Sequence, residues 1–210
     1  MTVIVKPDRE MYRWRNLTPE QRERVLAYRK DNRLPWHSPP HFEAESQTYL
    51  LTAACYEHVS IIGKNPERME EFESSLLETL QQAQTVHAWV VLPNHYHALV
   101  RAAKVKELLK AIGLLHGRTS YQWNGEDNRR GRKVWFNCVE TAMKSDRHFW
   151  ATLNYVLNNA VHHGYVERWQ DWPYSNAAQY LEEIGRDEVL RRWREYPVLD
   201  YGKDWDAPSL

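Results

Sequence analysis

The sequence predicts an α+β fold: a ferredoxin-like βαββαβα core, with a four-stranded antiparallel sheet and helices on one face. An N-terminal helical arm and a C-terminal helical tail flank it. Two observations predict this. Short β-rich runs exchange with longer runs whose apolar residues recur every three to four positions, in the order strand, helix, strand, strand, helix, strand, helix. Split βαβ units in that order close into a single antiparallel sheet. A chain of 210 residues is long enough for one domain with a sizeable core and decorated ends. The expected divisions are residues 1–45 for the arm, 46–166 for the core and 167–210 for the C-terminal extension.

Each element has a local cause. Thr18-Pro19-Glu20-Gln21 is a capping box with proline at the first helical position, and it opens a helix to about Lys30. Pro35-Trp36-His37-Ser38-Pro39-Pro40 then leads into the core. Tyr49 to His58 reads as a strand. Pro66 starts a helix to about Gln82, with Phe72, Leu76, Leu77 and Leu80 at helical spacing. His87 to Leu92 and His95 to Arg101 read as strands joined by a turn at Pro93-Asn94. Lys104 to about Asn124 is a helix with Leu108, Ile112 and Leu115 on one side, followed by a polar, basic loop from Gly125 to Lys133. Val134 to Met143 reads as the fourth strand. Ser145 caps a third helix that Gly164 stops near His163. Asp171-Trp172-Pro173-Tyr174-Ser175 precedes a polar helix from about Asn176.

Composition narrows the class. The 28 basic and 28 acidic residues balance, so the net charge hides a strong segregation. Arg101 to Lys133 holds nine Lys/Arg against three acids, and Met1 to Arg33 nine against five. Such stretches make basic surfaces suited to a phosphate backbone. Only two cysteines occur, in different predicted strands, and no run reaches membrane-spanning length. With no secretory signal at the start, the expectation is a reduced, cytoplasmic protein.

The chemistry concentrates in Leu92-Pro93-Asn94-His95-Tyr96-His97-Ala98-Leu99-Val100. Alternation on a strand sends His95 and His97 to one face and Tyr96 to the other. Two imidazoles on one face can share a metal ion, but they do not complete a site. On the third helix, Tyr155 and Asn159 stand four residues apart, and the Asn amide oxygen suits a hard divalent ion. The same spacing also fits a packing tyrosine in the stripe Phe149, Leu153, Val156 and an ordinary helix-end asparagine. His162 and His163 can complement the helix C-terminal dipole or serve as a base.

Pro93-Asn94-His95-Tyr96-His97 resembles the His-hydrophobic-His signature of single-tyrosine transposases. The segment Asn154 to Val166, followed by Asp171-Trp172-Pro173-Tyr174-Ser175, resembles their REP-associated branch. There a Tyr-x-x-x-Asn-Pro-Val-x-x-Gly segment precedes a Trp-Pro-x-Ser segment. The resemblance spans about Tyr49 to Tyr180 and departs at Ala160, where the branch commonly has proline.

This resemblance implies that Tyr155 is the nucleophile and that His95, His97 and Asn159 hold Mg²⁺ or Mn²⁺. It also places Glu140 and Lys144 where the family often has an acid and a base that orient the ligands. The implied partner is single-stranded DNA in REP-like palindromic hairpins, cut through a 5′-phosphotyrosine by a monomer acting in cis at the bacterial nucleoid. Arg118, Arg129, Arg130, Arg132 and Lys133, interleaved with Tyr121, Trp123 and Trp135, would bind it. Arg13 and Arg15 would either contact the same DNA or brace the sheet. Two rivals remain: a domesticated hairpin-binding protein with little cleavage activity, and a phosphoesterase without a covalent intermediate.

Overall fold

The computed structural model describes residues 47–198, together with 18–21, 23, 24 and 27. The chain separates into two units, Met1–Glu43 and Ala44–Leu210. In the first, the capping box is reciprocal: Thr18 N–H donates to Gln21 Oε1 at 2.8 Å, and Gln21 N–H donates to Thr18 Oγ1 at 3.3 Å. Glu23, Arg24 and Ala27 continue that helix, while Arg13, Arg15 and its predicted end at 28–30 lie outside the described residues.

The second unit contains, in chain order, β1 (Gln47–Ala54), α1 (Pro66–Leu80), β2 (Thr85–Val91), β3 (His95–Ala102), α2 (Val105–Glu126), β4 (Val139–Ala142), α3 (Asp146–His162), α4 (Ala177–Ile184) and α5 (Arg186–Glu195). The strands form one sheet in the order β2-β3-β1-β4, and every neighbouring pair is antiparallel. The α+β class and the four-stranded antiparallel sheet are therefore as the sequence predicts. Among the described residues no helix is long and apolar enough to cross a membrane.

Helices cover both faces of this sheet, not one. Tyr49, Leu51, Ala53, Tyr96, Ala98 and Val100 pack with Phe72, Leu76 and Leu80 of α1 and Leu108, Ile112 and Leu115 of α2. Leu50, Val90 and Leu99 pack on the other side with Leu153, Tyr155, Val156 and Leu157 of α3. The physical reason lies in β3, where every side chain from His95 to Val100 is buried. A strand without a solvent face needs a layer on each side.

Two strands are shorter than their sequence signal. The first ends at Ala54, because Tyr56–His58 turns with Glu57 and His58 both in the left-handed region, at φ 56° and 53°. The fourth is confined to Val139–Ala142. Thr52 pairs with Val139 while Cys55 pairs with Trp135, so the later strand carries one extra residue and the ladder breaks between them. The helix boundaries follow their caps. Asn65 and Ser145 side chains accept from the N–H of Arg68 and His148, and Gly164 leaves α3 at φ 72°.

The Asp171–Ser175 segment seals the β2 edge. Trp172 Nε1 donates to Val91 O at 2.9 Å, Val91 N–H to Tyr174 O at 2.8 Å, and Trp89 N–H to Asn176 Oδ1 at 2.9 Å. An edge strand thus satisfied offers no ladder to another chain. Gly185, at φ 83°, then splits the predicted polar helix into α4 and α5.

One buried polar group sets a pH limit. His116 lies flat on Trp135 with ring centroids 4.3 Å apart, its Nε2 is 3.1 Å from Tyr96 Oη, and burial pulls its pKa from 6.5 down to about 4. Below pH 6.5 the unfolded chain takes up a proton that the folded chain refuses, so this contribution is complete above 6.5 and declines toward 4. Between pH 7.5 and 4.5 it should cost the wild type about 2–3 kcal/mol. In urea melts at the two pH values, the stability of His116→Gln relative to wild type should improve by that amount.

Candidate active site

The site forms on the face of β3 that α3 covers. Alternation sends His95 and His97 to that face, and their ring centroids are 5.1 Å apart. Across the ladder Thr52 is the direct partner of His97, and its Oγ1 lies 2.8 Å from His97 Nδ1. From α3, Tyr155 and Asn159 meet the pair one turn apart. Tyr155 Oη lies 3.3 Å from His97 Nε2, and Asn159 Oδ1 lies 3.2 Å from His95 Nε2. All four side chains are at most 2% exposed. The helix thus brings together the tyrosine, the asparagine and both histidines that the sequence singles out.

Alanine at 160 leaves α3 unbroken from Asp146 to His162. With no proline after it, Asn159 reaches His95 from an unkinked helix. Packing explains why: Ala160 is buried in the same cluster as Tyr155 and Leu157.

The outer nitrogens of both rings are engaged, and that decides what the inner ones can do. His95 Nδ1 lies 2.7 Å from Asn94 Oδ1. The Asn94 Nδ2 donates to His58 O at 3.0 Å, so the oxygen side of that amide faces His95. An amide oxygen only accepts, so His95 Nδ1 carries the proton, and in the neutral ring Nε2 presents a lone pair. Asn159 Oδ1 presents another lone pair to it, while Asn159 Nδ2 has no hydrogen-bond partner among the described residues. Two acceptors in van der Waals proximity repel unless a proton or a metal cation joins them. Ligands at about 2.1 Å in an octahedral shell sit about 3 Å apart, close to the spacing seen here. The donor set fits a hard divalent ion. Among the described residues no cluster of three or more His, Cys, Asp or Glu forms a metal cage, so the site is a mixed imidazole–amide one.

Not every residue singled out by the sequence arrives. Glu140 pairs with Leu51, which faces α1 and α2, so the register puts it on the opposite face from His97. Lys144 is exposed beyond β4. The residues seen against the ring nitrogens are Thr52 and Asn94; Asn94 stands beside the His pair in sequence, whereas Thr52 emerges only from strand pairing. His163, at the α3 C-cap, places its ring 4.9 Å from that of His95, nearer the site than a helix-dipole role requires.

The basic residues divide into bound and available. Asp127 gathers Lys64, Arg68 and Arg132, and the Arg68 hydrogen bond above all holds its carboxyl far below the usual range. Arg132 also donates to Asn124 Oδ1 at 2.9 Å, so it ties the loop down. Arg118, Arg129 and Arg130 are exposed, with the Arg130 guanidinium 4.4 Å over the Tyr121 ring. Lys133 is exposed too, its ammonium 4.7 Å from the Tyr56 ring.

No family model matches the chain. Over 142 residues, 59% of this chain and 80% of the relative, it is 28% identical to a Haemophilus influenzae protein described as a candidate REP-associated tyrosine transposase. Its fold is similar to that of a REP-associated tyrosine transposase solved bound to a REP hairpin. That match has a TM-score of 0.55 and 15% identity, and covers 71% of this chain and 88% of the other.

If the facing acceptors await a cation, Mn²⁺ will stabilise the folded state. At about 100 times its dissociation constant the gain should be about 2.7 kcal/mol, seen as a rise of roughly 5–10 °C in melting temperature. The His95→Ala, His97→Ala double variant should show no rise in the same thermal scans.

Proposed function

We propose that this chain, a relative of the REP-associated tyrosine transposases, is a metal-dependent single-strand DNA endonuclease and strand transferase. On this reading it recognises REP-like hairpins and cuts beside them through a 5′-phosphotyrosine. One observation carries the reading: the Tyr155 hydroxyl is held 3.3 Å from His97 Nε2, beside the converging His95 and Asn159. The order of elements and the strand order β2-β3-β1-β4 support a ferredoxin-like core beneath this site.

The residues divide the chemistry. Mg²⁺ or Mn²⁺ held by His95, His97 and Asn159 would supply a Lewis acid toward the scissile phosphate and balance its charge. Tyr155, on a rigid helix and packed by Leu153, Val156 and Leu157, presents its oxygen in one orientation. That oxygen forms a bond to phosphorus as the bond to the 3′ oxygen breaks. The phenol loses its proton and the departing strand leaves as a 3′-hydroxyl. The phosphotyrosine conserves the energy of the broken ester, so another 3′-hydroxyl can displace Tyr155 and rejoin the strand. Exposed Arg118, Arg129, Arg130 and Lys133 would track the backbone of the bound DNA.

A labelled single-stranded hairpin with flanking sequence, incubated with the protein and Mn²⁺, tests the reading. The wild type should give a protein–DNA adduct that survives denaturing gels, and Tyr155→Phe should abolish it. Losing the hydroxyl should cost about 1–3 kcal/mol of stability, and a circular-dichroism melt should show the variant still folded. A nicked product without adduct would replace the transferase with a phosphoesterase, and retention without cleavage would leave a hairpin-binding protein. In filter binding, Arg129→Ala should weaken hairpin affinity and lower the salt slope by about 0.7–0.9 if its phosphate contact is made.

A further inference from the structure

We propose that Asn94 is a positioning residue for His95, locking its imidazole in the form protonated on Nδ1 so that Nε2 stays bare toward the site. The inference rests on the reading of His95 as a metal ligand, and adds the device that prepares it.

The Pro93-Asn94 turn is clamped from one side by the segment that follows β1. Cys55 N–H donates to Asn94 O at 2.7 Å, Gly63 N–H to Pro93 O at 2.9 Å, and Asn94 Nδ2 to His58 O at 3.0 Å. The clamp needs unusual backbone. Glu57 and His58 are consecutive residues with side chains in the left-handed region, at φ 56° and 53°, a conformation disfavoured for both. That turn aims the His58 carbonyl at the Asn94 amide. Gly63 is required for the approach, since a Cβ there would lie 2.3 Å from Pro93 Cβ and 2.8 Å from its Cα.

These contacts remove the freedom of the amide. With its NH₂ given to a carbonyl, only the oxygen side can meet His95 Nδ1, 2.7 Å away, and that nitrogen has to be the donor. The tautomer of a histidine ligand is set by the bond its other nitrogen makes. An Asn next in sequence to a strand histidine would ordinarily point to the opposite face. Because Asn94 lies in the turn before β3 begins, its side chain can reach back to the ring. The strained turn therefore serves the site: it orients Asn94, and Asn94 orients His95.

Long-range ¹H–¹⁵N spectra of the metal-free protein at pH 8 read this directly, with His95→Gln used for assignment. His95 should carry its proton on Nδ1, with Nε2 unprotonated. Asn94→Asp, which keeps the acceptor, should retain the proton on Nδ1. Asn94→Ala should move it toward Nε2 and weaken Mn²⁺ binding by about 10- to 100-fold, with the other histidine signals unchanged. A wild-type His95 protonated on Nε2 would overturn the proposal, as would an Asn94→Ala ring in the wild-type state. Because the wild-type spectrum needs no Asn94 variant, misfolding of Asn94→Ala leaves the test standing. No DNA enters it, so loss of the transferase reading and loss of this one are separate results.

Discussion

Everything at the site depends on β3 being buried on both faces. In a sheet with one wet face, alternation would send one of His95 and Tyr96 into water. Here both are enclosed, and the two-residue period becomes a division of labour. Tyr96, Ala98 and Val100 hold α1 and α2, while His95, His97 and Leu99 meet α3. Burial makes the imidazoles polar groups that need partners, and the fold supplies four: Thr52, Asn94, Tyr155 and Asn159. A site assembled in this way is rigid, because its partners come from β1, from the turn before β3 and from α3, each already fixed by its own packing.

What was legible in the sequence was local. The strand runs His87–Leu92 and His95–Arg101, the helical spacing in α1 and α3, and the signals at Pro66, Ser145 and Gly164 all act within a few residues. The four principal side chains of the site could therefore be named, since two share a strand face and two share a helix face. What escaped was set by partners distant in sequence. Which face Glu140 takes follows from its pairing with Leu51, and the length of β4 follows from a bulge against β1. The second helical layer could not be read from α3 alone, because an apolar stripe says that a helix packs without saying on which side.

The left-handed pair at Glu57 and His58 belongs to the same class. Nothing in a Tyr-Glu-His run announces a turn, and the β-rich residues before it favour continuing the strand. The chain leaves the ladder there because Cys55 N–H and the His58 carbonyl are taken up by Asn94. A break in local preference that coincides with a contact to the site is the pattern expected where structure has been bent to chemistry.

Charge obeys a similar economy. Counted along the sequence, the stretch from Arg101 to Lys133 looks uniformly basic, but the fold sorts it. Asp127, at the end of α2, draws Arg68 and Lys64 from the region of α1 and Arg132 from the following loop into one cluster. Those cations are neutralised by an inward partner and hold the loop against the two helices. What remains for a polyanion is the outward set, Arg118, Arg129, Arg130 and Lys133, two of which rest on aromatic rings at their base. A guanidinium or ammonium supported by a ring keeps its charge while losing side-chain freedom, so less entropy is lost when a phosphate arrives. The half-buried Asp127 thus shapes the basic surface as the arginines do: it draws Lys64, Arg68 and Arg132 to itself and leaves the outward set to define the exposed charge.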